Sequence, residues 1–228
     1  IYMIKTAVIL TVFNRREVTL KGLRSLYTAI DYLQKDQQEE SLLFDVYMTD
    51  DGCIDGTGDA VRKEFPDVQI IKGNGNLYWG GGMRLAWQSA IDSGINYNYY
   101  LWFNDDAYLY EDALISLFKV NKDVVDDCIV TGAFCGHEGN ASYGGKMEED
   151  YVMEPDGSSQ NVALMNGNLV LVPFGVYSRI GMIDKSFIHG LGDYDYGLRA
   201  QNNNILVLLT DKYVGICDRH DRDIPLFY

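Results

Sequence analysis

Apolar positions along the first half of the chain follow two alternating rhythms. Residues 5–13 (KTAVILTVF) form an unbroken apolar run of strand length, and residues 17–33 then carry Leu20, Leu23, Leu26, Tyr27 and Ile30 at helical spacing. The pairing recurs as a strand over 43–48 with a helix near 57–65, a strand over 68–71 with a helix near 83–93, and a strand over 99–103 with a helix over 112–120. Such alternation predicts an α/β fold, a mainly parallel central sheet flanked by helices. Beyond Cys128 the rhythm is irregular: strand-like 129–134 and 163–172 are separated by a glycine-rich, acidic stretch, 136–160, that reads as loop or hairpin. No repeat or linker divides the chain, which is expected to form one domain over 1–228.

In an open parallel sheet, ligands collect beyond the carboxyl ends of the strands. Three expected strands end in polar residues: Phe13, Asn14 and Arg15; Thr49, Asp50, Asp51 and Gly52; Asn104, Asp105 and Asp106. Parallel strands would bring these exits to one rim. Adjacent carboxylates repel in a dry cleft, and a divalent cation with a diphosphate ligand relieves the repulsion; a helix cap or turn is the alternative use of the same acids. Residues 73–84 (GNGNLYWGGGMR) lie between the third strand and its helix. Gly80 and Gly81 allow close backbone approach, and Arg84 near a helix start suits an anion; a flexible turn with a buried Trp79 is the alternative. Its spacing matches neither GxxxxGK[ST] nor GxGxxG, which argues against a P-loop nucleotidase and a dinucleotide-binding dehydrogenase.

Charge narrows the partners. The 228 residues carry a formal net charge of −14, which disfavours nucleic acid and anionic membrane surfaces and requires any phosphate to be held locally. The longest apolar runs are shorter than the ~20 residues of a membrane span. The first residues lack the basic-then-apolar profile of a secretory signal. Four well-separated cysteines without a CxxC pair are expected as free thiols in a reducing, cytoplasmic compartment.

Six segments, VILTVFNR (8–15), TDDGCIDGT (49–57), GNGNLYWGGGMR (73–84), LWFNDDAYL (101–109), NGNLVLVP (166–173) and FIHGLGDYDYGLRA (187–200), follow in order along nearly the whole chain. Together they resemble family 2 inverting glycosyltransferases of the GT-A fold, in the bacterial branch of rhamnosyl- and galactofuranosyltransferase-like enzymes. The resemblance implies a nucleotide-sugar-binding half over 1–127 and an acceptor and catalytic-base half over 128–228. It assigns Thr11, Phe13, Arg15 and Asp51 to the nucleoside, Asp51 accepting from the base. The family's DxD motif falls on Asn104, Asp105 and Asp106, with an amide in place of the first acid, Asn104 and Asp105 near the ribose and Asp106 as ligand to Mn²⁺ or Mg²⁺. The EDxD motif falls on Gly192, Asp193, Tyr194 and Asp195, making Asp193 the base. His220 matches a late histidine that completes the metal site in some relatives, though its charged surroundings suit a solvated residue too; His189 is expected as a structural neighbour of the base, and His137 in a loop.

Helical spacing agrees with that assignment of the base: over 193–202, Asp195 and Arg199 are i, i+4 neighbours that can pair, leaving Asp193 for chemistry or, alternatively, as an N-cap. A carboxylate at a helix start is expected to stay ionised. The implied reaction is transfer from a nucleoside-diphosphate sugar to a glycan or lipid-linked acceptor in cell-surface polysaccharide synthesis, with peripheral association at the inner face of the membrane. A noncatalytic carbohydrate-binding protein is the alternative suited to 17 tyrosines. A sugar-nucleotide pyrophosphorylase is expected to carry a glycine-rich loop after its first strand, and VFNRREV has none.

Overall fold

A computed structural model describes residues 3–36, 41–124, 127–148 and 151–219. The first half contains β1 (Met3–Val12), α1 (Arg16–Asp36), β2 (Ser41–Asp50), α2 (Thr57–Glu64), β3 (Gln69–Lys72), α3 (Tyr78–Asp92), β4 (Tyr99–Phe103), β5 (Tyr108–Leu109) and α4 (Ala113–Lys122). The second contains β6 (Cys128–Cys135), β7 (Ala141–Tyr143), β8 (Gly145–Glu148), β9 (Tyr151–Val152), β10 (Gln160–Asn161), β11 (Leu164–Met165), β12 (Leu169–Pro173), α5 (Phe174–Ile180), α6 (Gly192–Asn202) and β13 (Leu206–Ile216).

The main sheet has the order β10-β13-β6-β12-β4-β1-β2-β3. β3, β2, β1 and β4 are mutually parallel. β12 runs antiparallel to both β4 and β6, so β6 points the same way as β4, as does β13, parallel to β6. Six strands therefore share one direction, with β12 reversed in their midst and the short β10 antiparallel to β13 at the edge, so the sheet is mainly parallel, as the alternating rhythm predicts.

Both faces of this sheet are covered, which is why its strands read as unbroken apolar runs. Alternate residues serve two cores. Val8, Leu10, Leu101 and Phe103 pack with α1 and α4 on one face; Ala7, Ile9, Tyr100 and Trp102 pack with Met83 and Trp87 of α3 and Tyr196 of α6 on the other. The buried positions of α1 (Leu20, Leu23, Leu26, Ile30, Leu33) form the apolar stripe that its spacing predicts.

Three elements depart from expectation. α3 begins at Tyr78, five residues before the expected start, so the glycine triplet lies inside its first turns. The strand expected over 163–172 is broken into β11 and β12, and a turn at 166–168 separates them. β13, eleven residues long, comes in addition to the strands and helices expected from the sequence.

Candidate active site at the carboxyl ends of the parallel strands

The tip of β4 shows why an apolar run ends in an amide and two acids. The Asn104 N–H donates to the Asn168 carbonyl (2.9 Å), and the Ala107 N–H donates back to the Asn104 carbonyl (3.0 Å), turning the chain sharply. That turn drives Asp105 beneath α1, where it is fully buried and accepts from Thr19 Oγ1 at 2.5 Å. Gly22 permits the approach: a Cβ there would overlap the Asp105 carbonyl. Arg15, from the exit of β1, pairs with Asp105 through Nη2 and with Asp106 through Nη1 at 2.9 Å. Burial pushes the Asp105 carboxyl up to about 6, against the opposing pull of Arg15 and Thr19. Asp106 keeps 15% of its side chain exposed toward the rim.

The exit of β2 is tied to the same rim. Asp51 Oδ1 accepts from the Gly75 N–H (2.8 Å), and Oδ2 accepts from the N–H groups of Leu77 (2.9 Å) and Tyr78 (3.1 Å). Leu77, the N-cap of α3, makes no side-chain capping bond, so Asp51 satisfies the helix start from a neighbouring strand. Oδ1, with one partner here, retains acceptor capacity. Asn14 Oδ1 accepts from the Ile54 N–H (2.8 Å), which joins the first two exits.

The glycine triplet has a different role from the anion cradle expected of it. The Gly80 N–H donates to the Ile188 carbonyl (2.8 Å), and the Gly81 N–H donates to the Leu77 carbonyl (3.0 Å). Neither amide is open to a phosphate. A Cβ on Gly80 would overlap the Phe187 carbonyl, and one on Gly82 would overlap the side chain of Thr11, so the glycines let α3 pack directly on the 187–188 backbone and on β1. Arg84 donates to the Ile183 carbonyl. Gly80 and Arg84 thus hold the helix in place, Gly81 bonds only within the start of the helix, and Thr11 lies under that helix. Of the expected nucleoside contacts, Phe13 stands 54% exposed at the β1 exit.

Asp193 reaches the rim through the turn at 166–168. Its Oδ2 accepts from the Gly167 N–H (2.9 Å), and its Oδ1 accepts from the N–H of Tyr194 (3.0 Å). Asn168, next in the chain, binds the backbone of Asn104, so base candidate and β4 tip are joined through adjacent residues. Trp79 supplies a second link: its Nε1 donates to Asn104 Oδ1 (2.8 Å), while its ring lies against Gly167 and Gly192. Asp195 pairs with Arg199 at 2.8 Å, as the i, i+4 spacing predicts. Burial raises the Asp193 carboxyl above the ordinary range, although the N–H groups of Gly167 and Tyr194 favour its charged form. The helix start therefore does not dominate its ionisation; desolvation does.

Three of the four non-glycine residues with positive φ among those described border this cleft: Asn14 (φ 47°), Tyr78 (52°) and Leu191 (64°). Backbone strain of this kind concentrates where a site must be held in shape. The ring of His189 lies 3.9 Å from that of Tyr78. At the end of β13, Cys217 is buried; desolvation and then the charge of Asp106 push its thiol up to about 12. His137, expected in a loop, bonds Asp218 through Nδ1 at 2.5 Å. His220 lies outside the described residues. Among those described, no three histidine, cysteine or acidic side chains converge as a metal site. The turn at 166–168 is what sequence reasoning missed; its signal is Asn-Gly-Asn, hidden by the apolar residues on both sides.

No protein-family profile and no curated protein matches the chain. Solved structures do. The mannosyltransferase PcManGT from Pyrobaculum calidifontis, in complex with GDP-Man and Mn²⁺, aligns over 97% of this chain and 59% of its own at TM-score 0.67 and 15% identity. S. aureus TarS 1–349 in complex with UDP aligns over 95% and 61% at TM-score 0.68 and 15% identity. Its complex with UDP-GlcNAc aligns over 96% and 59% at TM-score 0.62 and 17% identity. The chain thus has a glycosyltransferase fold of GT-A-like architecture and spans about three-fifths of the length of these structures. No helix among the described residues is long and apolar enough to cross a membrane.

Proposed function

We propose that the chain is an inverting, metal-assisted glycosyltransferase that moves a sugar from a nucleoside-diphosphate donor to a hydroxyl of a glycan or lipid-linked acceptor. The observation that carries this reading is the joining of an acidic strand tip to a second, desolvated acid through residues 166–168. Asp105 and Asp106 already converge on a cation, the Arg15 guanidinium. Their chemistry fits a divalent ion as well: Asp106 would hold Mn²⁺ or Mg²⁺, with diphosphate and water oxygens completing the shell. Bound there, the ion would neutralise charge on the departing diphosphate. Arg15 offsets the repulsion between the two acids and lies within reach of the same anion.

Asp193 takes the proton of the acceptor hydroxyl as its oxygen attacks the anomeric carbon opposite the leaving nucleoside diphosphate. A single in-line displacement inverts the configuration. A raised carboxyl pKa suits this role, because a more basic carboxylate accepts a proton more readily. Residues 1–127 would carry the donor side and residues 128–228 the base and acceptor side of one domain. The family resemblance extends the proposal to polysaccharide synthesis at the cytoplasmic face of the membrane.

The test is nucleoside-diphosphate release from UDP-, GDP- and dTDP-sugars with Mn²⁺, alongside donor binding by calorimetry. Asp193→Asn is expected to lower turnover by about 10²–10⁴-fold with donor affinity unchanged. Asp106→Asn is expected to abolish the Mn²⁺-dependent part of donor binding. Wild-type turnover in the first variant would reject the base assignment, and unchanged Mn²⁺ dependence in the second would reject the metal assignment.

A further inference from the structure

A cavity of about 450 Å³ opens at the end of the sheet opposite the rim. It is lined by Ile4 at the start of β1, residues 96–99 leading into β4, Asp127 just before β6, and residues 173–175, where β12 passes into α5. These are the amino ends of the strands whose carboxyl ends carry the acids. The ten residues of β1 separate the two regions by about 30 Å.

Its size lies within the range of small-ligand sites. Its walls are set by backbone bonds: the Asn98 N–H donates to the Lys5 carbonyl (2.8 Å), the Phe174 N–H donates to the Asn98 carbonyl (2.8 Å), and Asn98 Oδ1 accepts from the Lys5 N–H (2.9 Å). This last bond fixes the Asn98 amide with its Nδ2 as the group left to donate. Gly175 allows the Asp127 carboxylate to approach the start of α5, where a Cβ would overlap it. Phe174 leaves 49% of its surface exposed beside Asn96, which is also exposed.

The lining holds three aromatic rings (Tyr97, Tyr99, Phe174), two amides and one carboxylate, and no lysine, arginine or histidine. A phosphorylated or carboxylated ligand would find no counter-charge and would meet Asp127 on a chain of net charge −14. A purely apolar ligand would leave the amides and the carboxylate desolvated without partners. A pyranose satisfies both halves: its C–H face covers a ring such as Phe174, and its hydroxyls donate to a carboxylate and exchange hydrogen bonds with amides. We propose that this cavity is a second saccharide site, binding a neutral oligosaccharide on the side of the sheet away from the rim. Binding here requires neither donor nor turnover, so the inference goes beyond the transferase reading; on a transferase such a site would tether a glycan chain.

The test is titration of the ¹⁵N-labelled full chain with maltohexaose, cellohexaose and chitohexaose, followed by NMR. The expected result is saturable shifts at residues 96–99, 127, 174 and 175 with at least one of the three. Phe174→Ala and Asn96→Ala, both at exposed positions, should each weaken that binding by about tenfold with the melting temperature unchanged. Asp193→Asn should bind the oligosaccharide like the parent, which keeps this result separate from the fate of the transferase reading. Four outcomes would overturn the proposal: no saturable shift with any of the three sugars, shifts confined to residues 104–106 and 193, a response of these residues to spermidine alone, or undiminished binding by Phe174→Ala.

Discussion

Trp79 is the residue whose placement decides the cleft. Its indole N–H orients Asn104 and its ring supports both Gly167 and Gly192, so it couples the β4 tip to the start of α6. Trp79→Phe keeps most of the ring packing and removes the N–H. Turnover should fall by about tenfold or more, with a melting temperature close to that of the parent. Loss of stability without a specific loss of turnover would show that the indole only packs. The pH profile of kcat/KM tests Asp193 independently. As a base it works ionised, so activity falls as pH drops through its pKa; because burial raises that pKa, the acid limb should lie above the ordinary aspartate value of about 4. In Asp193→Asn this limb should vanish from the residual activity.

At the scale of elements, the triplet 80–82 separates a packing role from a ligand role. Gly80→Ala and Gly82→Ala each place a methyl group against backbone or the Thr11 side chain and should destabilise the fold by about 1–3 kcal/mol in urea unfolding. Gly81 faces only the Leu77 side chain, at 3.3 Å from an added Cβ. Gly81→Ala should stay within about 1 kcal/mol of the parent, since alanine also favours the helix, and should leave donor binding intact. Equal damage at all three positions, with donor binding lost at Gly81→Ala, would restore the anion cradle. Such a distinction is invisible in GGG itself: three glycines read as a flexible loop, and only the position of α3 against β1 and residues 187–188 shows which hydrogen atom faces which wall.

Across the whole molecule, the rim is assembled from acids that must be kept apart or paired. Asp50 is buried, which alone would raise its pKa, but the ammonium of Lys72 at 2.5 Å and the Cys53 N–H outweigh burial and lower it. Its folded pKa thus lies below the unfolded value of about 3.9. The stability it contributes is present above that pH and is lost as pH falls through the folded value. Asp50→Asn should cost about 1 kcal/mol at neutral pH, a figure kept small because Lys72 is 64% exposed to screening solvent. The difference from the parent should shrink below about pH 4. A gap independent of pH would mean that shape, not charge, holds this pair.

The chain's own rhythm determined the sheet, because parallel strands covered on both faces must be apolar throughout and their helices must carry a stripe; those demands are local and visible at 5–13, 17–33 and 99–103. It also located the acids at 105 and 106, since a buried strand that ends in carboxylates has few uses for them away from a strand terminus. Tertiary structure decided the rest. Arg15 meets Asp105 from far along the chain, Asp193 meets Gly167 across a turn hidden within apolar sequence, and Asp51 caps a helix that follows the next strand. Such pairings depend on strand order and on how helices seat against the sheet, and nothing in the spacing of residues along the chain encodes which two loops will face each other.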